Sequence, residues 1–231
     1  MSKELEVGKH WLVNMGPLQV HMDTLIMTWV AMIVAVVISF VVTRCLKRKP
    51  GKTQTLTELI FDLIENVISE QLGKEKYRHF AIIASIFLFI LTANLIGHLP
   101  WKLIHLHEGE LASPTNDLNV TLGLALIVSV YYISAGIAKK GFKYFKHYLE
   151  PVWFMAPFNL LEDITKPATL ALRLFANIFA GEIIIMVLMG LCPIGLPVPM
   201  MLFELFVAFI QAFIFAILTA TYINMAISDE H

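Results

Sequence analysis

The chain has 231 residues, 58% of them hydrophobic and 15% charged, with a mean hydropathy of +0.73. Soluble domains carry about 25% charged residues, so this composition excludes an ordinary soluble enzyme and belongs to the membrane class. A formal net charge of -1 gives no footprint for nucleic acid, and two cysteines on different segments, Cys45 and Cys192, form neither a disulfide framework nor a zinc site.

Residues 1–24 read as an outer N-terminal segment. Charges, Asn14, Gly16 and Pro17 stand where a cleavable signal would have its apolar core, so the segment is expected to stay on the mature protein. A bilayer core of about 30 Å needs roughly 20 apolar residues per helix, and the first such run is 25–43. Over 53–72, Leu56, Leu59, Ile60, Leu63, Ile64, Val67 and Ile68 recur at helical spacing, with Glu58, Asp62, Glu65 and Glu70 on the other face. That pattern predicts an amphipathic helix lying on the inner membrane surface or docked on a partner. A second span follows at 80–99, an outer loop at 100–119 and a third span at 120–138. The helix predicted over 151–191 contains the fourth span. The fifth, 200–226, follows a segment with Pro193, Gly195, Pro197 and Pro199.

The expected fold is therefore an all-α integral membrane protein. It has five transmembrane helices and one amphipathic interfacial helix, and the last two spans form a long tilted hairpin. Arg44, Lys47, Arg48, Lys49, Lys52, Lys74, Lys76 and Arg78 crowd one side, joined by Lys139, Lys140, Lys143 and Lys146. The other side has Lys3, Lys9 and Lys102, so the positive-inside rule puts the N-terminus outside and the C-terminus in the cytoplasm.

The last two spans hold ionisable residues where each costs about 2.5–3.5 kcal/mol to insert, which makes each a functional hypothesis. Arg173, Asn177 and Glu182 lie on one helix, Glu204 and Gln211 on the other, and Glu162, Asp163 and Lys166 precede the fourth span. At about 100° per residue, Asn177 falls one turn from Arg173, and Glu204 shares a face with Gln211. An antiparallel register that brings Glu182 to Glu204 also brings Arg173 to Gln211. Glu182 is half a turn out of phase with Arg173, which suits a charge barrier and a water-filled path lining different surfaces. On a purely structural reading, Arg173 pairs with one of these acids to hold helices together. Buried pairs are weak stabilisers, and apolar residues fill that role at lower cost.

Other motifs lead elsewhere. His98, His105, His107, Glu108 and Glu110 sit in or beside the outer loop, where a solvated loop explains them as well as a metal does. Gly51-Lys52-Thr53 lacks the glycine of a phosphate loop, with Leu46 in its place, so no direct ATP binding is expected.

The stretch LALRLFANIFAGE at 170–182, QAFIF at 211–215 followed by Leu218-Thr219 and Tyr222-Ile223, and SPTNDLNVT at 113–121 together resemble subunit a of F-type ATP synthases, bacterial type. The resemblance runs in order over nearly the whole chain. It implies a non-catalytic, cofactor-free stator in the bacterial plasma membrane. Its implied partners are a ring of c subunits, the b-subunit peripheral stalk and the rest of the complex. Two offset half-channels would carry H⁺, with Na⁺ the alternative, to and from carboxylates on the ring. Arg173 would be the charge barrier, which an arginine suits because it stays protonated when buried. Glu182 and Glu204 would line the outer half-channel, where two close carboxylates ionise together only with difficulty. Asn177 and Gln211 would act as polar relays or position the arginine. Glu162 and Asp163 match the inner approach, and Asp117 the outer mouth. A stand-alone channel or carrier and a structural membrane anchor are the competing functions; the first often has inverted repeats, and the sequence contains none.

Overall fold

The computed structural model describes residues 12–15, 18–44, 51–98, 113–141, 144, 154, 156–192 and 195–228. Two strands of four residues, β1 (Leu12–Met15) and β2 (Leu18–His21), pair antiparallel with Val13 opposite Val20. This hairpin adds a small β element to the helical expectation. Gly16 and Pro17, turn-forming residues, stand between the two strands in sequence.

Among the described residues six α-helices follow: α1 (Met22–Arg44), α2 (Lys52–Leu72), α3 (Lys76–Gly97), α4 (Leu118–Lys140), α5 (Ala156–Leu191) and α6 (Pro197–Ile227). Five helical segments among the described residues are long and apolar enough to cross a membrane, α2 and α3 supplying one of them together. In lipid, every backbone N–H and C=O must be paired within the segment, which a helix achieves. Hydroxyls inside the helices turn back onto their own backbone, as Thr92 Oγ1 does to the Leu88 carbonyl at 2.8 Å and Thr219 Oγ1 to that of Phe215 at 2.8 Å. Pro167 lies inside α5, where it removes one such bond and favours a bend.

The packing divides the chain into two compact units: Met1–Cys45 with Leu88–Leu118 and Leu174–Ala212, and Leu46–Phe87 with Asn119–Arg173 and Phe213–His231. In the first unit, Met27 and Ala31 of α1 pack against Ala93 and Ile96 of α3, flanked by Val30, Val34 and Phe89. The rest of α1 is largely uncovered, with Trp29, Ile33, Val36, Phe40 and Val41 exposed. An apolar exposed helix of this kind needs hydrocarbon or a partner around it.

In the second unit, the stripe Ile64, Ile68 and Leu72 of α2 is buried, while Leu59 and Leu63 are exposed on the same helix as exposed Glu58, Asp62 and Glu70. Thr221 of α6 donates to Gln71 Oε1 at 3.5 Å, His79 Nδ1 of α3 lies 2.9 Å from the Tyr131 hydroxyl of α4, and Lys139 pairs with Glu75 at 3.3 Å.

Candidate functional site: a buried acid cluster and an exposed arginine

Glu204 is carried by α6 and buried in the first unit. Its Oε2 lies 3.5 Å from His98 Nδ1, at the C-terminal end of α3. Its Oε1 is buried without a hydrogen-bond partner among the described residues and rests against the backbone of Gly181 on α5. A Cβ at 181 would collide with that oxygen and come within 2.8 Å of the carboxyl carbon. The glycine is what lets the acid come this close to the helix.

Glu182 is fixed differently. Its Oε2 accepts a hydrogen bond of 2.7 Å from Asn116 Nδ2. Asn116 closes a short 3-10 turn, Pro114–Asn116, in which its N–H donates to the Ser113 carbonyl at 3.0 Å. A buried polar chain anchors that turn. Ser113 Oγ donates to the Ala93 carbonyl at 3.3 Å and lies 2.8 Å from Thr115 Oγ1. Thr115 donates to Asn94 Oδ1 at 2.9 Å, and Asn94 Nδ2 reaches the Ala208 carbonyl at 3.5 Å. Polar groups at such depth persist when each finds a partner, and here the partners fix the turn that presents Asn116. Gly97 gives Ser113 the room it needs, since a Cβ there would meet the Ser113 side chain. Asp117, next in the chain, is buried and pairs with His21 Nδ1 at 2.7 Å.

Deeper along the same helices, Asn177 Nδ2 reaches Gln211 Oε1 at 3.4 Å, and Gln211 Nε2 is buried without a partner among the described residues. The contacts 177 with 211 and 181 with 204 run in opposite chain directions.

Arg173 has the opposite setting. Its residue is exposed, and its side chain makes no ion pair with any described residue. Around it on α5, Thr169, Leu172, Ala176, Ala180, Ile183 and Val187 are exposed too, at spacings that form one stripe. In the same unit, Lys166 holds Glu162 at 3.1 Å and Asp163 at 3.4 Å, with its ammonium 5.9 Å above the Tyr222 ring.

Comparisons with known proteins establish the family of the chain as a whole. The family model described as ATP synthase A chain matches residues 25–224. A curated relative, "ATP synthase subunit a" of Gloeobacter violaceus (strain ATCC 29082 / PCC 7421), is 47% identical over 228 residues, covering 98% of this chain and 92% of the relative. This chain belongs to the ATP synthase subunit a family. It is therefore a multi-pass membrane subunit of the Fo sector, a proton-translocating stator that performs no bond chemistry itself, and it works within the F-type complex. Family membership removes the stand-alone carrier and the structural anchor from consideration.

The first unit gathers Glu182, Glu204, Asn177, Gln211 and Asp117, and the second holds Arg173, Glu162 and Asp163. His105, His107, Glu108 and Glu110 lie outside the described residues. Sequence reasoning assigned no role to three residues that touch these acids: His98, Asn116 and His21. Asn116 had a signal, since it sits inside the 113–121 motif beside Asp117. His98 had a fainter one, as a histidine at the edge of an apolar run. His21 had none, because its partner is 96 positions away in the chain.

Proposed function

We propose that this subunit carries H⁺ along two offset half-channels to and from the carboxylates of a c-subunit ring, with Arg173 as the charge barrier between them. The observation that carries the reading is the contrast at Arg173: it is exposed and makes no ion pair with a described residue, while Glu182 and Glu204 are held elsewhere by polar neighbours. An arginine on an apolar helix costs about 2.5–3.5 kcal/mol on insertion scales. A carboxylate presented by a partner offsets that cost, and the small neighbours Ala176 and Ala180 leave room for a helix to come close. A guanidinium keeps its proton there, so it draws the ring carboxylate into its ionised form and repels a proton crossing directly between channels.

On this reading Glu182 and Glu204, with Asn116 holding Glu182, line the outer half-channel, and Asp117 stands at its mouth. Glu162 and Asp163 mark the inner approach. Asn177 and Gln211 keep polar groups one turn beyond Arg173, as relays or positioners. The N-terminus is outside and the C-terminus cytoplasmic in the bacterial plasma membrane, following the Lys and Arg bias of the loops. The exposed Leu59 and Leu63 of α2 support a helix lying on the inner surface, and α5 with α6 forms the tilted hairpin beside the ring. The b-subunit peripheral stalk is a further partner on this reading.

The test is Arg173→Ala in membrane vesicles carrying the whole complex. ATP-driven H⁺ pumping and ATP synthesis are measured, and assembly is checked by co-purification. Loss of both activities in an assembled complex is the expected result. Near-normal coupled transport would leave Arg173 a structural residue and remove the mechanism.

A further inference from the structure

We infer that His98 is the outer-side proton partner of Glu204, delivering protons to that carboxylate through its imidazole. This rests on the half-channel reading above and adds to it a residue that neither the charge pattern nor the family motifs pick out.

Three observations converge on His98. It follows the last residue of α3, at the end of an apolar helix. Its Nδ1 stands 3.5 Å from Glu204 Oε2, and the side chains are 17% and 7% exposed respectively, so the histidine is the less enclosed member of the pair. Its other nitrogen, Nε2, and the other carboxylate oxygen, Oε1, are both buried without a hydrogen-bond partner among the described residues. A structural histidine buried for packing normally has its ring nitrogens engaged; this one has one nitrogen on an acid and the other unengaged.

Histidine is the side chain whose unperturbed titration falls between pH 5 and 8, and its two nitrogens let it take a proton on one side and give one up on the other. A proton arriving at Nε2 makes the imidazolium. Nδ1 then gives its proton to Oε2, leaving neutral glutamic acid and a neutral ring protonated at Nε2. Return of the ring proton to Nδ1, by ring rotation or exchange, resets the pair. At 3.5 Å the two atoms are at ion-pair rather than hydrogen-bond separation, a gap that a small χ rotation of the glutamate closes. Gly181 leaves the space that the carboxylate occupies beside α5, with the other oxygen toward His98.

The other charged or titratable groups of this unit among the described residues are few. Glu182 on α5 is the one that acts on Glu204 through its charge, and Asn116 holds it. The remainder are the His21–Asp117 pair, Asp23 and Arg44 on α1, and Cys192 at the end of α5.

The experiment uses the whole complex in vesicles, driving ATP synthesis with an imposed gradient while the pH of the proton-supplying side alone is varied. His98→Asn keeps a polar group toward Glu204 but carries no exchangeable proton across a ring. It is expected to assemble, to lower the rate roughly 10-fold or more, and to flatten the dependence on supply-side pH. His98→Ala is expected to be impaired and to regain activity with added imidazole. A His98→Asn complex whose rate and pH profile superimpose on the unaltered protein overturns the inference, as does an impaired His98→Ala that imidazole leaves unchanged. If neither variant assembles, His98 is a structural residue and the relay is equally overturned. Glu204→Gln separates the two levels: if it pumps normally, the half-channel reading itself fails, whereas an inactive Glu204→Gln beside a normal His98→Asn sinks only the role of His98.

Discussion

Glu204 and Arg173 are both ionisable residues in apolar helices, and the protein treats them in opposite ways. Glu204 is enclosed by its own chain, with a histidine at one oxygen and a glycine backbone beneath the other. Arg173 stands on an exposed stripe with no ion pair to a described residue. The desolvation cost of a charge at membrane depth has to be met by something. The difference teaches that the chain itself encloses the acid, whereas on the proposed mechanism the arginine is left to another molecule. On that proposal one is a feature of the folded chain, the other a contact completed on assembly.

Several substitutions would break or sharpen that contrast, beginning with the arginine. Arg173→Lys preserves the charge but replaces a planar five-donor fork with a compact, strongly hydrated ammonium. Coupled ATP synthesis should still fall by about 10-fold or more, since one lost charge-assisted hydrogen bond corresponds to roughly 1.5–3 kcal/mol. A fully active lysine variant would mean that only the sign of the charge matters there.

Gly181→Ala should come next. The new methyl would meet the far end of a flexible side chain, so the carboxylate can swing aside at little cost to stability. The complex should assemble and melt normally while proton pumping drops several-fold, because Glu204 is displaced from His98. If pumping is unaffected, the close seating of Glu204 against Gly181 has no functional weight.

Asn116→Leu is expected to be milder. It removes the 2.7 Å hydrogen bond to Glu182 while keeping the side-chain size, and Glu182 keeps the rest of its surroundings. A reduction of a few fold in gradient-driven ATP synthesis is expected, visible most clearly when the pH of the outer, proton-supplying side is high and protons are scarce. Synthesis that matches the unaltered protein across the pH range would show that Glu182 needs no fixed donor.

The smallest effect belongs to a charge outside the contrast. Glu75 pairs with Lys139 at 3.3 Å with both side chains more than a third exposed, and such pairs are worth about 0–1 kcal/mol. Glu75→Gln should leave pumping and assembly unchanged. A strong loss would show that the effects assigned to membrane-buried charges extend to the surface, and the comparison would lose its meaning.

Much of this was legible before any coordinates. The apolar runs mark the membrane helices because the bilayer thickness sets their length, and the family follows from the 170–182 and 211–215 motifs, whose order along the chain needs no folding to be read. Arg173, Glu182 and Glu204 announce themselves because a charge inside an apolar run is expensive. The β-hairpin at Leu12–His21 was less visible, since two four-residue strands give too few alternations to stand out in a stretch also rich in turn residues.

What the sequence determined by itself was local or additive: helix length, membrane class, the identity of the charged residues and the family. What the tertiary structure decided was partnership. Asn116 reaches Glu182 across 66 positions of chain, and His21 reaches Asp117 across 96. His98 meets Glu204 only because α3 and α6 meet in one unit, and Gly181 matters only because an acid from another helix lies on it. Periodicity assigns a residue to a face of its own helix, but the neighbour on that face is set by how helices distant in sequence pack. The exposure of Arg173 is decided the same way, by which surfaces the rest of the chain leaves uncovered.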